Sequence, residues 1–150
     1  MKKIFAVSSG GGHWEQLMAI SPAFSGHDVY YANTLKGLSE KSGIKSDRAY
    51  LLTDCNRSSI ISLLKCLIDI TNVLIKVKPD IIITTGAAPG IMSLAVGRIF
   101  GSHLIWIDSV ANTEKLSLSG KIATYIAHKR LTQWQHLADE KRVHYMGSVL

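Results

Sequence analysis

The sequence predicts an α/β domain: a Rossmann-like parallel sheet with helices on both faces. Three observations predict it. Short β-branched or aromatic segments alternate along the chain with longer segments of helical character. Glycine-rich loops follow the first and the fourth of these short segments. The length, 150 residues of which 47% are apolar and 19% charged, is that of one ordinary domain able to bury its own core.

The elements follow in order. Lys3–Ser8, Asp28–Ala32, Arg48–Leu52, Asp80–Thr84 and His103–Asp108 read as strands, each short and bounded by turn residues. Between and after them, His13–Ile20, Gly37–Ser42, Ser58–Val77, Pro89–Phe100 and Ser119–His128 read as helices. Strict β–α alternation argues for right-handed crossovers and a parallel sheet, in the doubly wound order 3-2-1-4-5. In the third helix Ser62, Lys65, Asp69, Asn72 and Lys76 form one polar stripe. Ile60, Ile61, Leu63, Leu64, Leu67, Ile68, Leu74 and Ile75 leave an apolar arc wider than one sheet contact needs. That arc either packs partly under a neighbouring element or meets a membrane or partner chain. The fourth helix is apolar nearly all round except for Arg98, which predicts burial on more than one side. Pro89 suits its first position and Gly101 the residue past its end.

Seventeen basic and eleven acidic side chains give a net charge of +6. Such a surplus favours anionic partners: nucleic acid, phosphorylated ligands or an anionic membrane. The basic residues are scattered and not interleaved with aromatics, and no nucleic-acid reader motif occurs, which argues against nucleic acid. Two cysteines, Cys55 and Cys66, are too few for a disulfide scaffold or a cysteine zinc site. Ile4–Val7 is too short for a signal-peptide core. The most apolar stretch, Ile60–Val77, is broken by Lys65, Asp69, Asn72 and Lys76, so no spanning helix is expected. A cytosolic protein, or one lying on a membrane, is expected.

Ser8-Ser9-Gly10-Gly11-Gly12-His13 follows the first strand and opens a helix; Thr84-Thr85-Gly86-Ala87-Ala88-Pro89-Gly90 repeats the arrangement after the fourth. Glycines let backbone N–H groups approach a ligand, and a helix N-terminus adds partial positive charge, a combination suited to phosphate. In the order 3-2-1-4-5 both loops face the crevice at the switch point of the sheet. The common nucleotide motifs are absent. Gly10-x-Gly12 is followed by Glu15 where a dinucleotide fingerprint needs Gly or Ala, the second strand runs into Asn33 instead of an acid, and no Gly-Lys-Ser/Thr occurs. His13, just past the first loop, is the candidate general base for a hydroxyl nucleophile. Asp108, ending the fifth strand, either orients a base, binds sugar hydroxyls or caps the next segment. The other five histidines (His27, His103, His128, His136 and His144) lack metal-ligand spacing and read as surface or structural; no metal is expected, nor any cofactor.

Five blocks occur in order: Ser8 to Leu17, Thr85 to Gly90, Trp106-Ile107-Asp108-Ser109, Leu116 to Lys121, and Thr132-Gln133-Trp134. Together they resemble the acceptor subunits of bacterial polysaccharide-biosynthesis glycosyltransferases (PssD-like). These are related to the membrane-recruiting subunit of the eukaryotic dolichol-linked GlcNAc transferase and, more distantly, to the N-terminal half of MurG. The resemblance spans nearly the whole chain and implies a half-enzyme. The fold would be the N-terminal half of a GT-B glycosyltransferase, binding a polyprenyl-diphosphate-linked sugar at the cytoplasmic membrane surface. A second chain, equivalent to the C-terminal half, would bind the UDP-sugar donor. Carried over residue by residue, Gly10, Gly11, Gly12, Gly86, Ala87 and Gly90 receive the acceptor diphosphate, with His13 and Asp108 as the catalytic pair. Many close relatives carry Glu in place of Asp108 and Arg in place of Asn112. The length of the chain, one Rossmann-like half, fits a cleft whose second wall comes from another polypeptide.

Overall fold

The computed structural model describes residues 1–55 and 59–149. Ser58, the expected start of the third helix, lies outside the described residues. The chain forms β1 (Lys3–Val7), α1 (Gly12–Ile20), β2 (Asp28–Asn33), α2 (Leu38–Lys41), β3 (Ala49–Leu51) and α3 (Ile60–Val77). There follow β4 (Ile81–Thr84), α4 (Ala87–Ile99), β5 (His103–Ile107), α5 (Leu118–Ile126), β6 (Lys129–Thr132) and β7 (His144–Tyr145).

The strands form one parallel sheet in the order β3-β2-β1-β4-β5-β6-β7. The expected order 3-2-1-4-5 is its core. β1 and β4 are neighbours in the register Ile4↔Ile81 to Val7↔Thr84, so the loops that follow them start side by side. β6 and β7, which the sequence did not announce, extend the sheet beyond β5.

Alternation along β1 divides the core in two. Ile4 and Ala6 face α1, packing with Trp14, Leu17, Phe24 and Ile83. Phe5 and Val7 face the other side, where Ile82, Leu104 and Trp106 meet Cys66, Ile70 and Leu74 of α3, Leu94 of α4 and Ala123 of α5. Helix α4 lies between α3 and α5 and rests directly on β4. Its Gly90 and Gly97 permit this closeness. A Cβ would lie 2.1 Å from Thr84 Oγ1 at the first and 2.2 Å from Ile82 Cδ1 at the second. Burial on several sides follows, as the apolar circumference of α4 predicted.

One detail differs from expectation. Helix α4 begins at Ala87, so Pro89 is its third residue, not its first; the chain turns into the helix at Gly86, whose φ of 133° favours glycine. Gly101, with φ 78°, does take the position past the helix end. In α3, Cys66, Ile70, Val73, Leu74 and Val77 are buried, while Ile60, Ile61, Leu64, Ile68 and Ile75 are each more than half exposed. The apolar arc is therefore only partly used by the fold. Among the described residues no helix is long and apolar enough to cross a membrane.

Candidate functional site

A cavity of about 310 Å³ opens at the carboxyl ends of β1, β4 and β5, between Ser9, His13, Gly86–Pro89 and the segment after Asp108. It holds the expected crevice at the switch point of the sheet. The two loops are tied across it. His13 Nδ1 lies 3.0 Å from the Thr85 carbonyl, and the Thr85 hydroxyl donates to the His13 carbonyl at 2.6 Å. A carbonyl accepts only, so Nδ1 carries the proton and Nε2 is left as the basic nitrogen. Ring and loop are packed so closely that a Cβ on Gly86 would lie 2.8 Å from the imidazole. Ala87, with φ 65°, holds a strained backbone at the same turn.

The predicted phosphate residues divide. Gly86 and Ala87 line the cavity, as do Ala88 and Pro89. Gly10, Gly11, Gly12 and Gly90 do not. Gly10 donates its N–H to Thr34 Oγ1 and sits against Leu35, Gly11 is the N-cap of α1, and Gly12 opens on another face. Gly90 packs α4 on β4. Close packing accounts for Gly10 and Gly90 and a φ of 73° for Gly11, while nothing in the structure requires the glycine at Gly12.

Asp108 lines the cavity but is only 2% exposed. Its Oδ1 accepts from Trp106 Nε1 at 3.1 Å and from the Ser117 hydroxyl at 2.8 Å. Its Oδ2 accepts from Asn112 Nδ2 at 3.1 Å and from Ser117 N at 3.2 Å. The same Ser117 hydroxyl accepts from Gly120 N, capping α5. Asp108 therefore holds Ser117, the N-cap of α5, in place and caps no helix itself. It makes no hydrogen bond to His13 in the structure. Gln16 of α1 bridges further, donating to Ser109 Oγ and accepting from Val110 N and Gln133 Nε2.

Sequence reasoning quoted Ser117 and Ser119 only within a motif; both line the cavity. The signal was there in the serine that precedes a helix, but the contact that gives it meaning, Ser117 on Asp108, runs across nine residues of loop. No Lys or Arg is among the described residues that line the cavity; its acidic side chains there are Asp54 and Asp108, with His13 beside them. Ala87–Pro89 at the start of α4 and Ser117 and Ser119 at the start of α5 line it, so the positive ends of two helix dipoles border the cavity. The Lys and Arg side chains of the described residues lie elsewhere. Among the described residues no group of three or more His, Cys, Asp or Glu could hold a metal ion.

A seven-stranded parallel sheet with helices on both faces and a cavity at its switch point defines the N-terminal half of the GT-B fold. The solved structures agree. MurG of Acinetobacter baumannii matches with TM-score 0.78 at 13% identity, over 97% of this chain and 46% of its own. The UDP-N-acetylglucosamine 2-epimerase of Rickettsia bellii matches with TM-score 0.75 at 16% identity, over 99% and 45%. A glycosyltransferase of Rickettsia africae ESF-5 matches with TM-score 0.66 at 14% identity, over 97% and 42%. The chain thus spans less than half the length of these structures, and they establish the fold alone. Transferases and epimerases share it. The family is established by sequence: residues 18–149 match the family described as oligosaccharide biosynthesis protein Alg14 like, and the chain belongs to it. No curated protein matches the sequence significantly.

Proposed function

We propose that this chain is the acceptor-binding subunit of a two-chain inverting glycosyltransferase. It moves a sugar from a UDP-sugar, held by a partner equivalent to a GT-B C-terminal half, to a polyprenyl-diphosphate-linked saccharide. The observation that carries this reading is the orientation of His13: Nδ1 is engaged by Thr85 O, so Nε2 is the free base at a cavity walled by helix N-termini. In the reaction, the acceptor hydroxyl oxygen forms a bond to the anomeric carbon of the donor. The bond from that carbon to the UDP oxygen breaks, and UDP leaves with the electron pair. The hydroxyl proton passes to His13 Nε2. Ala87 and Ala88 at the start of α4 offer N–H groups to the acceptor diphosphate, beside Gly86, whose own N–H is held by Thr84 Oγ1. Asp108 is a positioning residue. No cofactor is needed.

Membership of the Alg14-like family supports a transferase partner and attachment to a membrane. The exposed apolar side chains support the same attachment. Ile61, Leu64 and Ile68 of α3, Ile99 of α4, and Leu118 and Ile122 of α5 all face outward, with exposed Lys65, Arg98 and Lys121 on the same three helices. Apolar area plus basic charge suits the anionic cytoplasmic face of the cell membrane. This layer also favours a second reading, in which the chain only docks a partner that holds all the chemistry.

The test is reconstitution. The purified chain alone transfers no sugar from UDP-sugars to a polyprenyl-diphosphate saccharide, and addition of the partner restores transfer. Robust turnover by the chain alone refutes the two-chain reading. Full activity of a His13→Ala complex, with loss of membrane binding in α3 variants, selects the docking reading.

A further inference from the structure

We propose that the start of α5 is a second anion subsite in the cavity, holding one phosphate of a diphosphate while the start of α4 holds the other. The proposal rests on the reading that the cavity takes a diphosphate.

The argument begins with the unused donors of α5. The first four N–H groups of a helix lack partners within it. In α5, Gly120 N is capped by the Ser117 hydroxyl and Lys121 N bonds Ser117 O. The amides of Leu118 and Ser119 have no partner among the described residues. Beside them is the Ser119 side chain. Ser119 is 8% exposed and lines the cavity, and its hydroxyl also has no partner among the described residues. No fully enclosed side-chain N or O atom lacks a partner there, so this hydroxyl opens into the cavity. A buried hydroxyl on the cavity wall and two unpaired amides at the same helix end are donors awaiting an acceptor.

The site is also built to hold its aim. Asp108 grips Ser117 through both its hydroxyl and its N–H, and Gly120 lies so close that a Cβ there would be 2.5 Å from Asp108 Oδ1. Both Asp108 oxygens are turned to these donors, away from a ligand. Asp54, the other carboxylate lining the cavity, is exposed. No Lys or Arg is among the described residues that line the cavity, and its backbone offers an anion of two linked phosphates one site at α4 and one at α5.

Two substitutions remove the donors without attacking the helix. Leu118 is the first residue of α5, where Pro is favoured, and Ser117 before it has φ −58° and ψ 162°, the extended conformation that Pro requires of its predecessor. Leu118 is 63% exposed, so its side chain is dispensable to the core. Ser119→Ala removes the hydroxyl alone. The probes are geranyl diphosphate and geranyl monophosphate, titrated calorimetrically into the full chain, with the helical signal and Tm recorded for each variant. The wild type is expected to prefer the diphosphate, and Leu118→Pro and Ser119→Ala each to weaken diphosphate binding by about tenfold, as for loss of one charge-assisted hydrogen bond. Monophosphate binding is expected to change less than about twofold, well under the tenfold that one such bond represents. Equal affinity of the wild type for both probes, or folded variants that keep the diphosphate preference, overturns the subsite and leaves the diphosphate cavity standing. Equal weakening of both probes also overturns it. If neither probe binds the wild type, the diphosphate reading itself falls, and the subsite with it. Should Leu118→Pro melt early, Ser119→Ala decides alone.

Discussion

His13 and Gly86 occupy adjoining space: the imidazole sits where a side chain at Gly86 would have to go, 2.8 Å from the position of a Cβ. Two loops that are 72 residues apart in sequence are thereby locked, with Thr85 bonding His13 from both its carbonyl and its hydroxyl. The ring's tautomer, its orientation and its distance from the α4 N-terminus are all consequences of this one packing relationship.

In the reconstituted complex, His13→Ala is expected to lower kcat by about 10²- to 10⁴-fold, the range for loss of a general base. The KM for the acceptor should move little, because the α4 amides remain. Steady-state kinetics on both substrates checks this, and an unchanged kcat removes His13 from the chemistry.

Gly86→Ala should act on the same ring from the other side. The new methyl needs the imidazole's place, and φ of 133° is unsuited to any L side chain. A loss of about 1–3 kcal/mol in stability is expected from overpacking. Urea unfolding measures the stability, and crystallography of the variant should find the His13 ring displaced.

Asp108→Ala leaves the buried Trp106 Nε1 and both Ser117 donors without their acceptor, at a cost of about 1–3 kcal/mol for an unsatisfied buried group. Asp108→Glu is not equivalent despite its charge, since Gly120 backs directly onto Oδ1 and leaves no room for another methylene. Both variants should lose stability in chemical denaturation; a fully stable Asp108→Ala would show that the carboxylate does not organise the α5 loop.

Ile61→Glu and Ile68→Glu test the outer face of α3. These side chains are 67% and 59% exposed, so the fold should tolerate the change within about 0.5 kcal/mol. Binding to vesicles containing anionic phospholipid should fall sharply, and sedimentation with such vesicles at low and moderate salt measures it. Undiminished binding by the double variant would exclude α3 as the membrane face.

His128 predicts a pH dependence. Its imidazole is lowered from the ordinary histidine value by burial first, then by His103, Arg98 and Arg130. Its Nδ1 accepts from Leu104 N at 3.0 Å, which only a neutral nitrogen can do. The unfolded chain therefore binds this proton more readily than the folded one. Stability from this group is present above the ordinary value of about 6.5 and is lost as pH falls from there toward the lower folded value. Denaturant titrations from pH 7 to pH 5 should show the decline in the wild type and a shallower one in His128→Asn.

The periodicity of the sequence was enough for the five central strands, their order and all five helices, because each strand is short and β-branched and each crossover is long enough for a helix. The weakest elements escaped it. β6 reads Lys-Arg-Leu-Thr, and its Arg130 looks like a surface loop residue until its guanidinium is seen folded back on the Ala127 carbonyl. β7 has two residues and no period to detect.

The sequence by itself determined that two glycine-bearing turns stand at the ends of adjacent strands and that a histidine follows the first. Those are local properties of chain direction and backbone freedom. Which of these groups meet the cavity was decided only by tertiary structure. Gly86 and Ala87 face it, whereas Gly10 and Gly90 are spent on close packing against Leu35 and Thr84. Asp108 became the anchor of α5 because Ser117 and Gly120, distant along the chain, fold onto its carboxylate. Composition could count the charges but not place them, and the partial positive charge of helix N-termini at a cavity enters no count of Lys and Arg.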